Sequence, residues 1–490
     1  MDLILKPYAF MQRQAHSYRF LSCVTLGAIF SLGLPPFHYW YSSLISLAIF
    51  INLYVYLKSP KFVFTSVFIF SLSYFSISSY WVVNAFLVVV GGPFLGGVIG
   101  VITLLVMAVN MALITALCIS IAEKLTSLFT KLNLSIVVIP LSWAVSEYLR
   151  STFLGGQPMH YIGYMVGNND YFIQIASVFN VYVVSFFLVF IAVLFSINYR
   201  YAVCGVFVFV IVFMFGIYRV EFMQDSLDRD VKELKVRLVN ANITQAKLLQ
   251  DQNTYRAVDE YIRVTQSVAP DSFIPELIIW PESVLQFYID DTYEGEVNRK
   301  HITGFMSEGQ LLITGGPRYE RAKGEGVKYY SSMFQLNSGG ELLNSYDKHR
   351  LVPWAEFIPF RELIPKKIAN IFDVIDYTPG RGPLQMKSNH GLKILPLVCA
   401  EGHFPQMISE YQNDQNLIVM IGNEAWMEGT TAPSQYFVNA RYRAVESGLP
   451  VLLVSNKGYL AIIDNKGIVK KSIYKNEANV LDGHINVVLK

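Results

Sequence analysis

Apolar residues are distributed very differently in the two halves of the chain. Before residue 218 they form long runs broken by short polar or aromatic turns; after Lys235 they form short β-branched runs separated by amphipathic or turn-rich stretches. A helix needs roughly 17–25 apolar residues to cross a bilayer. Runs near that length at 20–35, 40–57, 62–83, 92–121, 136–149, 173–197 and 203–218 predict about seven spans. The first run has long flanks and no small-residue cleavage site, so it predicts a retained span and not a signal peptide. In the second half, strands are predicted at 236–243, 277–280, 311–315, 333–336, 392–398, 417–421, 451–454 and 460–463. Helices are predicted at 254–268, 294–306, 403–411 and 434–446. Strands alternating with helices predict an α/β layered domain.

Charge sharpens this division. Only four of the 37 acidic residues, Asp2, Glu123, Glu147 and Asp170, precede residue 218. The break predicts a transmembrane helical domain over 1–219 and a catalytic domain over 220–490. With the N-terminus inside, the inner segments carry Lys6, Arg13, Arg19, Lys58, Lys61, Lys124, Lys131 and Arg200, whereas the outer loops near 35–38, 84–91 and 151–174 carry no Lys or Arg. That asymmetry follows the positive-inside bias. An odd number of spans then places the polar half outside the cytoplasmic membrane. The net charge of +2 and the lack of a basic, aromatic-interleaved patch argue against nucleic acid as a partner. Glu147 and Arg150, three residues apart, share a helix face and are able to pair. They fit an interfacial ion pair as well as a polar crevice, and the following loop 155–161 fits a lipid guide as well as a packed connection.

Of the four cysteines, Cys23, Cys118 and Cys204 lie in apolar runs and only Cys399 lies in the polar half. That excludes a disulfide framework within that half, and no Cys/His spacing predicts a metal site. Cys399 closes the run Ile394-Leu395-Pro396-Leu397-Val398-Cys399, Glu282 closes Leu277-Ile278-Ile279-Trp280-Pro281-Glu282, and Lys348 lies in Ser345-Tyr346-Asp347-Lys348-His349. Singly, these residues read as a small buried hydrophobe, a surface carboxylate and a solvated lysine. Together at strand ends they form the set a thiol nucleophile needs: a base, a cation for the thiolate and the oxyanion, and the thiol itself.

These motifs resemble the nitrilase superfamily, and within it the membrane-anchored apolipoprotein N-acyltransferase family. The resemblance rests on Val239-Asn240-Ala241-Asn242-Ile243-Thr244-Gln245, Trp280-Pro281-Glu282-Ser283 and Asp347-Lys348-His349-Arg350-Leu351-Val352-Pro353 with Glu356. It continues through Cys399-Ala400-Glu401, Asn423-Glu424-Ala425-Trp426 and Ser455-Asn456-Lys457-Gly458, and in the first half through Glu147-Tyr148-Leu149-Arg150. It implies a polytopic α-helical membrane domain joined to an αββα sandwich. It also implies a Glu282-Lys348-Cys399 triad supported by Glu356 and Glu401, and no cofactor or metal. The implied reaction takes an acyl chain from a phospholipid, typically phosphatidylethanolamine, through a Cys399 thioester to the amine of a diacylglyceryl-cysteine apolipoprotein. Substrate contacts are expected from Trp426, Trp354 and Tyr346, and the location expected is the bacterial inner membrane with the catalytic domain on the periplasmic side. The family pattern is broken at Leu249, Ala400, Glu424 and Tyr436, where tryptophan, an aromatic, aspartate and histidine are usual. The sequence also ends at Lys490 without the closing span many members carry, which leads to the expectation of a domain tethered at one end.

Two other readings remain open: a membrane-anchored amidase or an acyltransferase with a different amine acceptor, and a polytopic transporter or scaffold. The scarcity of charge within the apolar runs weighs against an ion-coupled transporter.

Overall fold

The computed structural model describes residues 16–55, 60–90, 92–127, 134–153, 156–223, 231–244, 247, 255–267, 273–322, 326–353, 355–358, 361, 376–382, 384–387, 391–410, 414–474 and 477–489. The chain divides into two compact units, Met1–Met223 and Gln224–Lys490.

The first unit is helical: α1 His16–Ser31, α2 Trp40–Phe50, α3 Pro60–Ser78, α4 Trp81–Val89, α5 Pro93–Ser127, α6 Ser135–Thr152, α7 Val181–Ile197 and α8 Tyr199–Ile217. Among the described residues, three stretches, Lys61–Ser78, Pro93–Thr126 and Tyr199–Phe222, are long and apolar enough to cross a membrane, while Tyr18–Ser31, Trp40–Tyr54 and Val181–Ile197 are apolar but shorter. Two predicted runs are broken. The run 62–83 divides at Ser79 and Tyr80 into α3 and α4. The run 173–197 starts as a 3-10 turn at Phe172–Ile175, and α7 begins only at Val181. Asn180 accounts for that second break. It adopts φ 74° and its side chain accepts from the Tyr182 N–H, capping α7. Hydropathy alone does not register such a cap.

The second unit contains β1 Val231–Asn240, β2 Leu277–Ile279, β3 Leu311–Ala322, β4 Gly326–Asn337, β5 Leu342–Asp347, β6 Met386–Lys387, β7 Lys393–Val398, β8 Leu417–Asn423, β9 Val451–Asn456, β10 Leu460–Ile463, β11 Val469–Ile473 and β12 Asn479–Val488. They form two six-stranded sheets, ordered β12-β1-β2-β3-β4-β5 and β11-β10-β9-β8-β7-β6. Side-chain alternation explains the layering. In β8, Leu417, Val419 and Ile421 enter the core between the sheets, while Ile418 and Met420 enter an outer core; β9 divides Leu452 and Val454 from Val451 and Leu453 in the same way. Strands buried on both faces read as continuous apolar runs, which is why these were visible in the sequence. Helices α9 Arg256–Thr265 and α10 Tyr293–Thr303 cover the first sheet through Val258, Tyr261, Val264 and Ile302. Helix α11 Ala432–Ser447 covers the second through Tyr436, Ala440 and Ala444. The result is an αββα stack.

Both sheets have a parallel centre, β1-β2-β3 and β7-β8-β9. The C-terminal ends of these strands meet. Asn456, ending β9, accepts from the Ile243 N–H at 3.0 Å and donates to the Ile243 carbonyl at 2.8 Å and to Asn423 Oδ1 at 3.0 Å. One buried amide therefore fastens the two sheets at the end where open α/β sheets place their functional groups.

Within the first unit, residues 156–161 are not helical, yet much of this stretch is buried. Its backbone polar groups need partners in an apolar surround, and α6 supplies them. Glu147 Oε1 accepts from the Ile162 N–H at 2.8 Å, and Arg150 Nη1 donates to the Met159 carbonyl at 3.1 Å. The two side chains are 4.0 Å apart and essentially unexposed, and the guanidinium lies 4.7 Å above the Phe75 ring. An exposed interfacial pair is thereby excluded. Breaking a buried pair leaves an uncompensated charge, so Arg150→Met is expected to cost about 3–5 kcal/mol, with part regained on adding Glu147→Gln. Unfolding midpoints in detergent would measure both, and equal stability of Arg150→Met and wild type would refute this role.

Candidate active site

Three strand ends deliver the side chains. Lys348 follows β5 directly, Cys399 follows β7 directly, and Glu282 stands three residues beyond β2. The chain turns sharply at two of them, since Cys399 has φ 51° and Ser283, next to Glu282, has φ 61°. Left-handed backbone costs an L-residue about 1–2 kcal/mol, and such strain gathers where side chains must be re-aimed. Close backbone approach tightens the arrangement further. The Gly380 N–H donates to the Lys348 carbonyl at 2.9 Å, and a Cβ on Gly380 would fall 2.1 Å from the Asp347 carbonyl oxygen.

Lys348 Nζ lies 2.8 Å from Glu356 Oε1 and 3.9 Å from Glu282 Oε1, with almost no exposed surface. The other Glu356 oxygen accepts from the Val352 N–H at 2.7 Å. The Cys399 thiol is coupled electrostatically to the Glu282 carboxyl and the Lys348 ammonium. Glu401 is fully buried and accepts four hydrogen bonds. Oε1 takes the Tyr346 hydroxyl at 2.8 Å, the His349 N–H at 2.8 Å and the Arg350 N–H at 3.1 Å, while Oε2 takes the Val398 N–H at 2.9 Å. It therefore binds the Lys348 turn to the Cys399 turn.

Electrostatics fix the resting protonation. Burial alone would lower the Lys348 pKa, but the Glu356 and Glu282 carboxylates outweigh it and hold the ammonium charged. Burial and then Glu282 push the Cys399 thiol up, which favours its neutral form. Burial raises Glu282, partly offset by Lys348. His403, four residues after the thiol, is pushed down to about 3 by burial, Arg443 and Lys348, and is no proton acceptor near neutrality. Among the described residues, no group of three or more His, Cys, Asp or Glu is arranged to hold a metal.

The structure thus gathers Glu282, Lys348, Cys399, Glu356 and Glu401. Tyr346 departs from its expected role: it is 1% exposed and its hydroxyl is committed to Glu401, which leaves no surface for a substrate. Trp426 lies half-buried in the turn Ala425–Met427, and Trp354 is outside the described residues. Tyr377, whose backbone N–H donates to the Glu356 carbonyl at 2.8 Å, was not anticipated. It sits in a turn-rich stretch with no motif or spacing to mark it.

Several known proteins and two family models are similar to this chain in sequence. Residues 235–489 match the carbon-nitrogen hydrolase family, and residues 26–194 match the apolipoprotein N-acyltransferase N-terminal domain. A protein named apolipoprotein N-acyltransferase from Allorhizobium ampelinum is 32% identical across 69% of this chain and 65% of its own length. One of the same name from Rickettsia typhi is 30% identical across 70% and 69%. The chain thus spans about two thirds of the relatives it matches. Among solved structures, Saccharomyces cerevisiae Nit3, of the nitrilase superfamily, is 17% identical with a TM-score of 0.39, over 53% of this chain and 92% of its own.

Two outcomes test the local physics. In Glu401→Gln an amide NH2 confronts a buried N–H, so unfolding experiments should show a loss of about 3 kcal/mol; an unchanged midpoint would remove Glu401 from its bracing role. Glu424 is buried and its carboxyl is pushed up to about 8 by burial. Below the unfolded value of about 4.3 both states carry this proton. Between there and about 8 only the folded chain keeps it, so stability from this group falls as pH rises through that window and the loss is complete above it. Thermal midpoints at pH 5 and pH 9 should accordingly differ less in Glu424→Gln than in wild type.

Proposed function

The chain belongs to the apolipoprotein N-acyltransferase family, and from that premise we propose that it moves an acyl chain from a phospholipid to the N-terminal amine of diacylglyceryl-cysteine apolipoproteins. The observation that carries this reading is a buried lysine 3.9 Å from the Glu282 carboxyl, with the Lys348 turn braced against the Cys399 turn by Glu401. In the first half-reaction Cys399 Sγ attacks the ester carbonyl carbon while Glu282 takes the thiol proton. The Lys348 ammonium stabilises the oxyanion, where a preorganised charge in a buried site acts most strongly. Collapse breaks the ester bond, and Glu282 returns the proton to the departing lysophospholipid oxygen. The acyl group is then held as a thioester on Sγ.

In the second half-reaction the acceptor nitrogen attacks the thioester carbonyl, Glu282 takes a proton from that nitrogen, and Sγ recovers it on leaving. Glu356 and Glu401 touch no reacting atom in this scheme; they position Lys348 and the two turns. Trp426 lines the lipid side of the site. The charge bias of the first half supports a bacterial inner-membrane protein with its catalytic domain on the periplasmic side, and phosphatidylethanolamine is the favoured donor.

Intact mass spectrometry after incubation with phosphatidylethanolamine tests this directly. Wild type should gain the mass of one acyl chain, released by hydroxylamine, and Cys399→Ser should gain none. Absence of an adduct with several phospholipids, on folded protein, would overturn the acyl-transfer reading. Turnover of small amides in that case would identify an amidase.

A further inference from the structure

Beside the triad stands a group of tyrosines that the chemistry above does not use. Tyr319 and Tyr329 face each other across the antiparallel β3–β4 pair. Tyr288 meets Tyr319 edge to face, with ring centres 4.8 Å apart. Tyr377 adjoins them through its backbone. Its own N–H is tied to the Glu356 carbonyl, and the next one, of Thr378, donates to the Tyr329 carbonyl at 2.7 Å. The backbone thus fixes Tyr377 between the triad's supporting carboxylate and the tyrosine group.

Two properties make this a binding surface. First, Tyr288 is exposed and Tyr377 only partly buried, so both present surface to whatever enters. Second, the adjoining charge is unbalanced. Among the described residues, Glu282 and Glu356 lie within 3.9 Å of one ammonium, Lys348, which is paired with Glu356 at 2.8 Å. Burial and then the Glu356 and Glu282 carboxylates push the Tyr377 hydroxyl up, so it stays an un-ionised phenol. A phenol oxygen able to accept a hydrogen bond, aromatic faces and an excess carboxylate together suit a small cation.

We propose that Tyr377, with Tyr288 beside it, forms the subsite for the primary ammonium of the acyl acceptor and holds its nitrogen against Glu282 before transfer. This rests on the acyl-transfer reading. Two protons leave the nitrogen as the amide bond forms and the carbon–sulfur bond breaks. One passes through Glu282 to restore the Cys399 thiol, and the other goes to solvent. Tyr377 accepts a hydrogen bond from the nitrogen throughout and exchanges no proton.

A primary ammonium is also present on an ethanolamine headgroup, so the donor is a competing occupant. The two half-reactions separate the sources. Thioester formation would be followed by intact mass with phosphatidylethanolamine and with phosphatidylglycerol, and transfer from the preformed thioester would be followed with a diacylated cysteinyl peptide. In Tyr377→Leu, both acylation rates should stay within twofold of wild type, while transfer falls at least tenfold with a raised KM for the peptide. Tyr377→Phe, which keeps the ring and guards against misfolding, should recover part of the transfer rate. Unchanged transfer in both variants would overturn the proposal. A loss of acylation confined to phosphatidylethanolamine would assign the subsite to the donor headgroup instead. Equal loss with both donors would make Tyr377 a support of the triad and equally overturn the proposal. A wild-type protein that forms no thioester strikes the underlying reading, a result distinct from all of these.

Discussion

A single buried carboxylate holds the catalytic end of the second unit together. Glu401 belongs to the turn after β7, yet three of its four hydrogen bonds come from the segment that ends β5 and turns beyond it, in the other sheet. The fourth comes from Val398, one residue before the thiol. A hydrophobic core is non-directional and fixes the distance between sheets without fixing how their ends align. Four donors converging on one carboxylate do fix it, because each misaligned donor would be left unsatisfied where water cannot reach. The separation of lysine, carboxyl and thiol depends on that alignment, and the Asn456 amide repeats the device two strands away.

Legibility in the sequence followed burial. Strands buried on both faces, such as Leu417–Asn423 and Val451–Asn456, appear as uninterrupted apolar runs. Strands near or at the sheet edges do not. Lys470 and Lys471 interrupt Val469–Ile473, and Asp482 and His484 alternate with Leu481 and Ile485 in Asn479–Val488, so neither stretch resembled a strand until its partner was known. The convergence of Glu282, Lys348 and Cys399 was legible because a carboxylate, an ammonium and a thiol each stand just beyond an apolar strand run. The group around it was less so. A tyrosine whose hydroxyl is spent on a buried carboxylate carries no mark of that in a sequence, so Tyr346 reads as a substrate contact until Glu401 is found on its hydroxyl.

The helical unit illustrates the same limit from the opposite direction. Hydropathy located its apolar runs but could not foresee that a buried, non-helical stretch would draw its hydrogen bonds from two charged side chains on a neighbouring helix. Glu147 and Arg150 interact less with each other than with the backbone at Ile162 and Met159. Their charge serves the chain's own polar groups, in an environment where nothing else would.

The pairing of β1 with β12 has a mechanical consequence. The first and last strands of the second unit lie side by side, antiparallel, from Val231 opposite Val488 to Asn240 opposite Asn479. Tension applied between those two strands at the Val231 end would open the ladder one rung at a time, as a zipper opens, and would be spent along ten residues before it reached Asn240. The turns bearing Cys399 and Lys348 lie on other strands and would stay unloaded through that opening.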